Sequence, residues 1–135
     1  MNIGICGGTF DPFHRGHLDP LLAVREELQW DRVLYIPAYV QPFKQDRVTA
    51  PGPHRFAMAV LATEGHDALY VSPQELERGA VSYTVDTLQQ LRREHPEAAQ
   101  ELEPVIAIYE EEMFSARRDP ERTRTLRRKL SELRT

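Results

Sequence analysis

The chain has 135 residues, 17 basic against 21 acidic side chains, a formal net charge of −4 and 41% hydrophobic residues. That is enough chain and apolar content for one domain with a real core, which excludes a wholly disordered protein. No apolar stretch approaches the roughly 20 residues that span a bilayer. A single cysteine, Cys6, rules out an internal disulfide and a cysteine zinc cage. The start, Met1-Asn2-Ile3-Gly4-Ile5, has no basic region or apolar core of a leader. These features predict a soluble cytoplasmic protein without membrane association, and the acidic balance argues against nucleic acid as a partner.

Residues 2–6 form a short apolar run that ends in Gly7-Gly8, which predicts a buried strand entering a tight turn. From about residue 14 to 30, Leu18, Leu21, Leu22, Val24 and Leu28 recur near helical spacing. Pro20 fits there only if the helix starts close by or kinks. Residues 32–36 (RVLYI) are a second buried strand. Four prolines between residues 37 and 53 predict a long irregular loop, of a length that is usually functional. Residues 54–64 read as a helix with Phe56, Met58, Ala59, Val60 and Leu61 apolar. Residues 69–72 are a third strand. Residues 84–95 read as an amphipathic helix with Val85, Leu88 and Leu91 on one side, ended by Pro96. Residues 105–109 (VIAIY) are a fourth strand candidate, and residues 110–135 read as mainly helical.

Strands alternating with helices of this size predict βαβ units. With right-handed crossovers they give a Rossmann-like α/β fold, a wound parallel sheet of about four strands with helices on both faces. Such sheets bind ligands beyond the carboxyl ends of their strands, so the loop after the first strand is the place to look for chemistry.

The composition changes near Pro96. All seven glycines lie at or before Gly79, and residues 97–112 hold six acids and no base. Residues 117–134 then hold eight bases and three acids. This predicts a core over residues 1–96 and a divergent charged tail over residues 97–135, a strand followed by a helix.

The loop after the first strand reads Gly7-Gly8-Thr9-Phe10-Asp11-Pro12-Phe13-His14-Arg15-Gly16-His17. Two glycines let the backbone approach a ligand closely. His14 and His17 are three apart and share one face of a first helical turn. Amide donors at a helix N-terminus and two imidazoles would surround an anion, which is the chemistry phosphoryl-type transfer needs. The plainer reading, a capped turn with locally bonded histidines, suits one histidine better than the whole run. Elsewhere the plain reading leads. Asp11 is a turn-former that steadies the loop, Asp86 is first-turn helix chemistry, and Cys6 is core packing. His54, His66 and His95 have no partner spacing.

Residues 7–17 resemble the GGTFDPxHxGH signature of the nicotinate-nucleotide adenylyltransferase family, in the HxGH nucleotidyltransferase superfamily. Gln41-Pro42-Phe43-Lys44 is similar to that family's proline-lysine loop. Arg55 and Met58 match its RxxM helix. Glu75-Leu76, with Arg78, and then Ser82-Tyr83-Thr84-Val85-Asp86-Thr87-Leu88 resemble its ExxR…SYTxDTL segment. The resemblance covers about residues 1–97.

It implies adenylyl transfer from ATP to nicotinate mononucleotide, giving nicotinate adenine dinucleotide and pyrophosphate in NAD biosynthesis. The mononucleotide phosphate would attack the α-phosphorus directly, with no covalent enzyme intermediate. His14 and His17 would be catalytic, stabilising the ATP phosphates and the transition state. Gly7, Gly8, Thr9, Phe10, Gly16 and Lys44 would bind the nucleotide, and Tyr83 and Thr84 the pyridine end. Mg²⁺ would ride on the ATP phosphates. Lys44 read alone is equally a solvated loop lysine, and Thr84 a helix cap.

After Pro96 the pattern departs from the family. Residues 105–109 run into Glu110-Glu111-Glu112 where the family has a Gly-x-Asp loop, and nothing matches its C-terminal ISSTxIR-like motif. The chain therefore reads as a shortened or divergent member, and the alternative function is a catalytically weak or inactive nucleotide-binding protein. Leu126, Leu130 and Leu133 form one stripe on a basic helix, which could dock on the core or pair with another subunit as a homo-oligomer.

Overall fold

The computed structural model describes residues 1–41, 46 and 48–96. The chain divides into two compact units, Met1–Tyr83 and Thr84–Thr135. The first unit runs β1 (Ile3–Gly8), α1 (Arg15–Leu28), β2 (Arg32–Pro37), α2 (Gly52–Thr63), β3 (Leu69–Val71) and α3 (Gln74–Arg78). In the second, α4 (Thr84–Glu94) lies within the described residues. The strand candidate at 105–109 and the leucine-striped tail lie outside them.

The three strands form one parallel sheet in the order β1-β2-β3. This is the Rossmann-like α/β fold that the alternation of elements predicts. β2 is central and reads as a near-continuous apolar run, as a strand between two parallel neighbours should. Its Val33, Tyr35, Ile36 and Pro37 are all buried.

The register explains which face is the core. Gly4, Val33 and Leu69 lie side by side, and so do Cys6, Tyr35 and Val71. Val33, Tyr35 and Leu69 are buried against Ala59 of α2, with Cys6, Val71, Leu18, Leu21, Leu22 and Ala62 packed around them. Each large apolar side chain buried here contributes about 1.5–3 kcal/mol. On the opposite face Ile5, Leu34 and Tyr70 align, and Ile3, Ile5 and Tyr70 are exposed. There the Arg32 guanidinium stacks over the Tyr70 ring, 5.0 Å from its centre.

Several local expectations shift. α1 passes through Pro20, as its start at Arg15 keeps the proline in an early turn, where only the hydrogen bond to the Gly16 carbonyl is lost. The loop predicted over residues 37–53 is shorter. Pro37 extends β2, and Gly52-Pro53 open α2, where proline lacks only an N–H that would be unpaired anyway. The buried residues of α2 are Arg55, Ala59 and Thr63, four apart, while Val60 and Leu61 are exposed. The Thr63 hydroxyl is satisfied by donating to the Ala59 carbonyl at 2.9 Å. Helix α3 is an addition to the sequence reading, closed by Gly79 at φ 64°. In α4 the buried positions are Thr87, Leu88 and Leu91, so Thr87 replaces Val85. No helix among the described residues is long and apolar enough to cross a membrane.

Candidate active site

The chain leaves β1 at Gly8, turns through residues 9–14 and enters α1. A cleft of about 410 Å³ opens there, beyond the carboxyl ends of β1 and β2. Cys6, Gly7, Gly8, Thr9, Phe10 and Asp11 line it on one side, followed by His14 and His17. Among the described residues, Pro12 also lines it, as do Gln41, Val48 and Thr49 from the loop after β2.

The two histidines build the start of α1. His14 is the N-cap, in extended backbone conformation. Its Nδ1 accepts the Gly16 N–H at 3.0 Å. The His14 N–H in turn donates to Nδ1 of His17 at 3.1 Å. This is a reciprocal capping box in which imidazoles do what Ser and Glu usually do. Because both Nδ1 atoms accept, the ring proton of each neutral imidazole sits on Nε2. The rings stack with centres 4.0 Å apart. Gly16 leaves room for this, since a Cβ there would come within 2.8 Å of the His14 ring.

His17 is seated from below. Its ring meets Phe10 edge-on at 5.1 Å and Phe13 at 5.4 Å, and both phenylalanines are buried. Tyr35, fully buried on β2, donates its hydroxyl to the His17 carbonyl at 2.9 Å. Burial, with Cys6 a smaller cause, pushes the Tyr35 hydroxyl up to about 12, so it stays a donor. Burial lowers the pKa of His17, and the neighbouring His14 lowers it further. The first turn of α1 carries no acidic side chain, so the positive end of its dipole is uncompensated. Two Nε2–H donors and a positive helix end suit an anionic ligand.

The rest of the loop is braced from other elements. Asp11 accepts the Ala50 N–H through Oδ2 at 3.0 Å, which fits the steadying role expected of it. The Gly8 carbonyl accepts the Ala38 N–H at 2.8 Å. Arg55 of α2 is buried and donates to the carbonyls of Thr9 and Ala38. The Thr9 hydroxyl is buried and has no hydrogen-bond partner among the described residues. Cys6 packs against the core and also lines the cleft, and burial raises its thiol pKa.

Of the site residues expected from sequence, Gly7, Gly8, Thr9, Phe10, His14 and His17 meet at this cleft, with Gly16 between the histidines. Phe10 serves as the buried support of His17, rather than as an open nucleotide contact. Lys44 lies outside the described residues. Tyr83, 44% exposed, closes the first unit, and Thr84 opens α4 in the second. Ser82, just before them, is buried: its Oγ accepts the Tyr39 N–H at 3.0 Å beside a parallel bridge from Val40 to Val81. Tyr35 and Arg55 join the site from outside the sequence picks. Arg55 was visible as part of a motif, whereas a strand tyrosine in RVLYI carries no signal of its hydroxyl's destination.

Residues 5–135 match the profile of the cytidylyltransferase-like family. The chain belongs to that family. Among its curated relatives, a probable nicotinate-nucleotide adenylyltransferase of Clavibacter michiganensis is 43% identical over 98 residues, covering 73% of this chain and 48% of the relative. A probable nicotinate-nucleotide adenylyltransferase of Thermomicrobium roseum is 46% identical over 96 residues, 71% of this chain and 45% of that protein. A third, from Streptococcus pneumoniae, is 42% identical over 95 residues, 70% and 46% of the two chains. This family member thus spans about half the length of the curated relatives it matches.

Proposed function

We propose that this protein transfers the adenylyl group of ATP to nicotinate mononucleotide, forming nicotinate adenine dinucleotide and pyrophosphate. The observation that carries the reading is the histidine-capped start of α1, whose two imidazoles line the cleft beside Gly7, Gly8 and Thr9. The names of the relatives supply the substrates. An oxygen of the mononucleotide phosphate attacks the α-phosphorus of ATP, the bond to the β-phosphate oxygen breaks, and pyrophosphate leaves. His14 and His17 donate Nε2–H bonds to phosphate oxygens as charge builds there, with no covalent link to the protein. The backbone of Gly7, Gly8 and Thr9 meets the nucleotide, Lys44 adds charge, and Tyr83 places the pyridine end.

Mg²⁺ enters on the ATP phosphates and offsets their charge. The cleft fits that arrangement. Among the described residues its one carboxylate, Asp11, is engaged by the Ala50 N–H, and the imidazole Nδ1 atoms are spent on the cap. The reaction takes place in the cytoplasm.

The test is incubation of the 135-residue protein with ATP, nicotinate mononucleotide and Mg²⁺. Dinucleotide and pyrophosphate in equal amounts are the expected result. Calorimetric binding of the mononucleotide without product would contradict turnover and favour the second reading, a nucleotide-binding protein of the same fold. That reading is motivated by the lack of any counterpart to the family's C-terminal motif in residues 97–135.

A further inference from the structure

Arg55 is among the least exposed side chains of the protein, 2% accessible, and it carries a charge. Burying a guanidinium is costly unless its donors are met. Here they are met by main-chain carbonyls. Nη1 donates to Thr9 O and Ala38 O, both at 2.7 Å, and Nε donates to Ala50 O at 2.8 Å. Nη2 reaches Tyr39 O at 3.4 Å. One side chain on α2 therefore holds three separate stretches: the turn after β1, the end of β2 and the segment before α2.

The Thr9 bond matters most for chemistry. The carbonyl it fixes belongs to the peptide that leads into Phe10. Phe10 has φ 51°, in the left-handed region that a bulky aromatic residue rarely adopts. Such a conformation persists only where the surroundings over-determine it. In that conformation the Phe10 ring lies edge-on to His17. The path runs from the Arg55 fork to the Thr9 carbonyl, to the Phe10 backbone, to the His17 ring. Asp11 closes the same bracket from the other side by holding Ala50.

We infer that Arg55 is a positioning residue for the nucleotidyl-transfer site, setting the Thr9–Phe10 turn and through it the seat of His17. This rests on the proposed function for its kinetic arm but not for its structural one. Arginine is required because its planar fork presents five donors in fixed directions, whereas the ammonium of lysine is a single point that cannot serve Thr9, Ala38 and Ala50 together.

The experiment compares wild type with Arg55→Lys and Arg55→Gln, each first checked for a cooperative thermal transition. Without substrates, proton NMR reads the His17 ring signals, which the Phe10 and Phe13 rings displace, with exposed His66 as internal reference. The His17 signals should move in the folded variants while those of His66 stay. With substrates, kcat should fall about 100-fold, the size expected for a misplaced catalytic group, with little change in KM. A variant that merely loses stability, with His17 signals and kcat unchanged, would overturn the inference. If neither variant folds, the Arg55 Nε–H of wild type decides: slow solvent exchange is expected, and exchange at the rate of free arginine would overturn it. A wild type without turnover would defeat the proposed function and leave the NMR arm to decide this one.

Discussion

α1 and α2 follow neighbouring strands of one sheet, yet they are built in opposite ways, and α1 lends His17 to the cleft while α2 lends it no lining residue. None of α1's residues is fully buried, and its start is capped by two histidine side chains. α2 starts at a proline with no side-chain cap, and buries Arg55, Ala59 and Thr63 along one face. α1 offers chemistry at its N-terminus and is lightly held. α2 offers no cap chemistry, but sends a guanidinium across the gap to fix the loop in front of α1. The division separates reactivity from rigidity: the histidines proposed to contact a ligand are not buried, while the Arg55 side chain that braces the loop before them is.

Substitutions on the two helices should therefore fail differently. The largest effect belongs to α1. If the protein has the proposed function, His17→Ala removes one donor to the phosphates, so kcat should drop roughly 10²–10³-fold, about 3–4 kcal/mol of transition-state stabilisation. Its cost in stability should stay near 1 kcal/mol, the worth of a cap. Steady-state kinetics beside a thermal melt checks both, and equal loss of activity and stability would break the comparison.

On α2 the pattern should invert. Ala59 is fully buried against the sheet, so Ala59→Leu overpacks the core. A loss of about 1–3 kcal/mol in denaturant unfolding is expected, with kcat close to wild type. Arg55 is the exception that joins the two helices, since its replacement should reach kcat through His17.

A smaller effect concerns pH. Burial first, and His14 second, hold the His17 pKa below the ordinary histidine value of 6.5. The fold thus favours the neutral ring, and the unfolded chain binds the proton more readily. Stability from this group is present above pH 6.5 and declines as the pH falls toward the lowered value in the fold. In His17→Ala that part of the acid sensitivity should be missing from unfolding curves recorded between pH 7 and 5.

How far the sequence reveals this division differs between the helices. The strand, turn and helix around His14 and His17 are legible because a glycine pair, a helix start and two imidazoles fall within eleven residues. The buried face of α2 is not legible from apolarity. Val60 and Leu61 look like core but are exposed, and Arg55 and Thr63 look like surface but are buried. The burial of Arg55 depends on main-chain carbonyls distant in sequence, at Thr9 and Ala38, which composition cannot display, whereas the Thr63 hydroxyl is met by the Ala59 carbonyl of its own helix. α3 is too short to show a helical period. The capping role of the imidazoles is the plainer reading of the loop, and it holds for both histidines although histidine is not among the usual cap residues.

The claim at the centre is that the start of α1 presents two imidazoles with ring protons on Nε2, fixed by main-chain bonds to Nδ1. Nitrogen-15 NMR of the ring-labelled protein at pH 7 tests it directly. The account predicts unprotonated Nδ1 and protonated Nε2 for both His14 and His17. A ring proton found on Nδ1 of His17, or a His17 imidazolium at that pH, would contradict it.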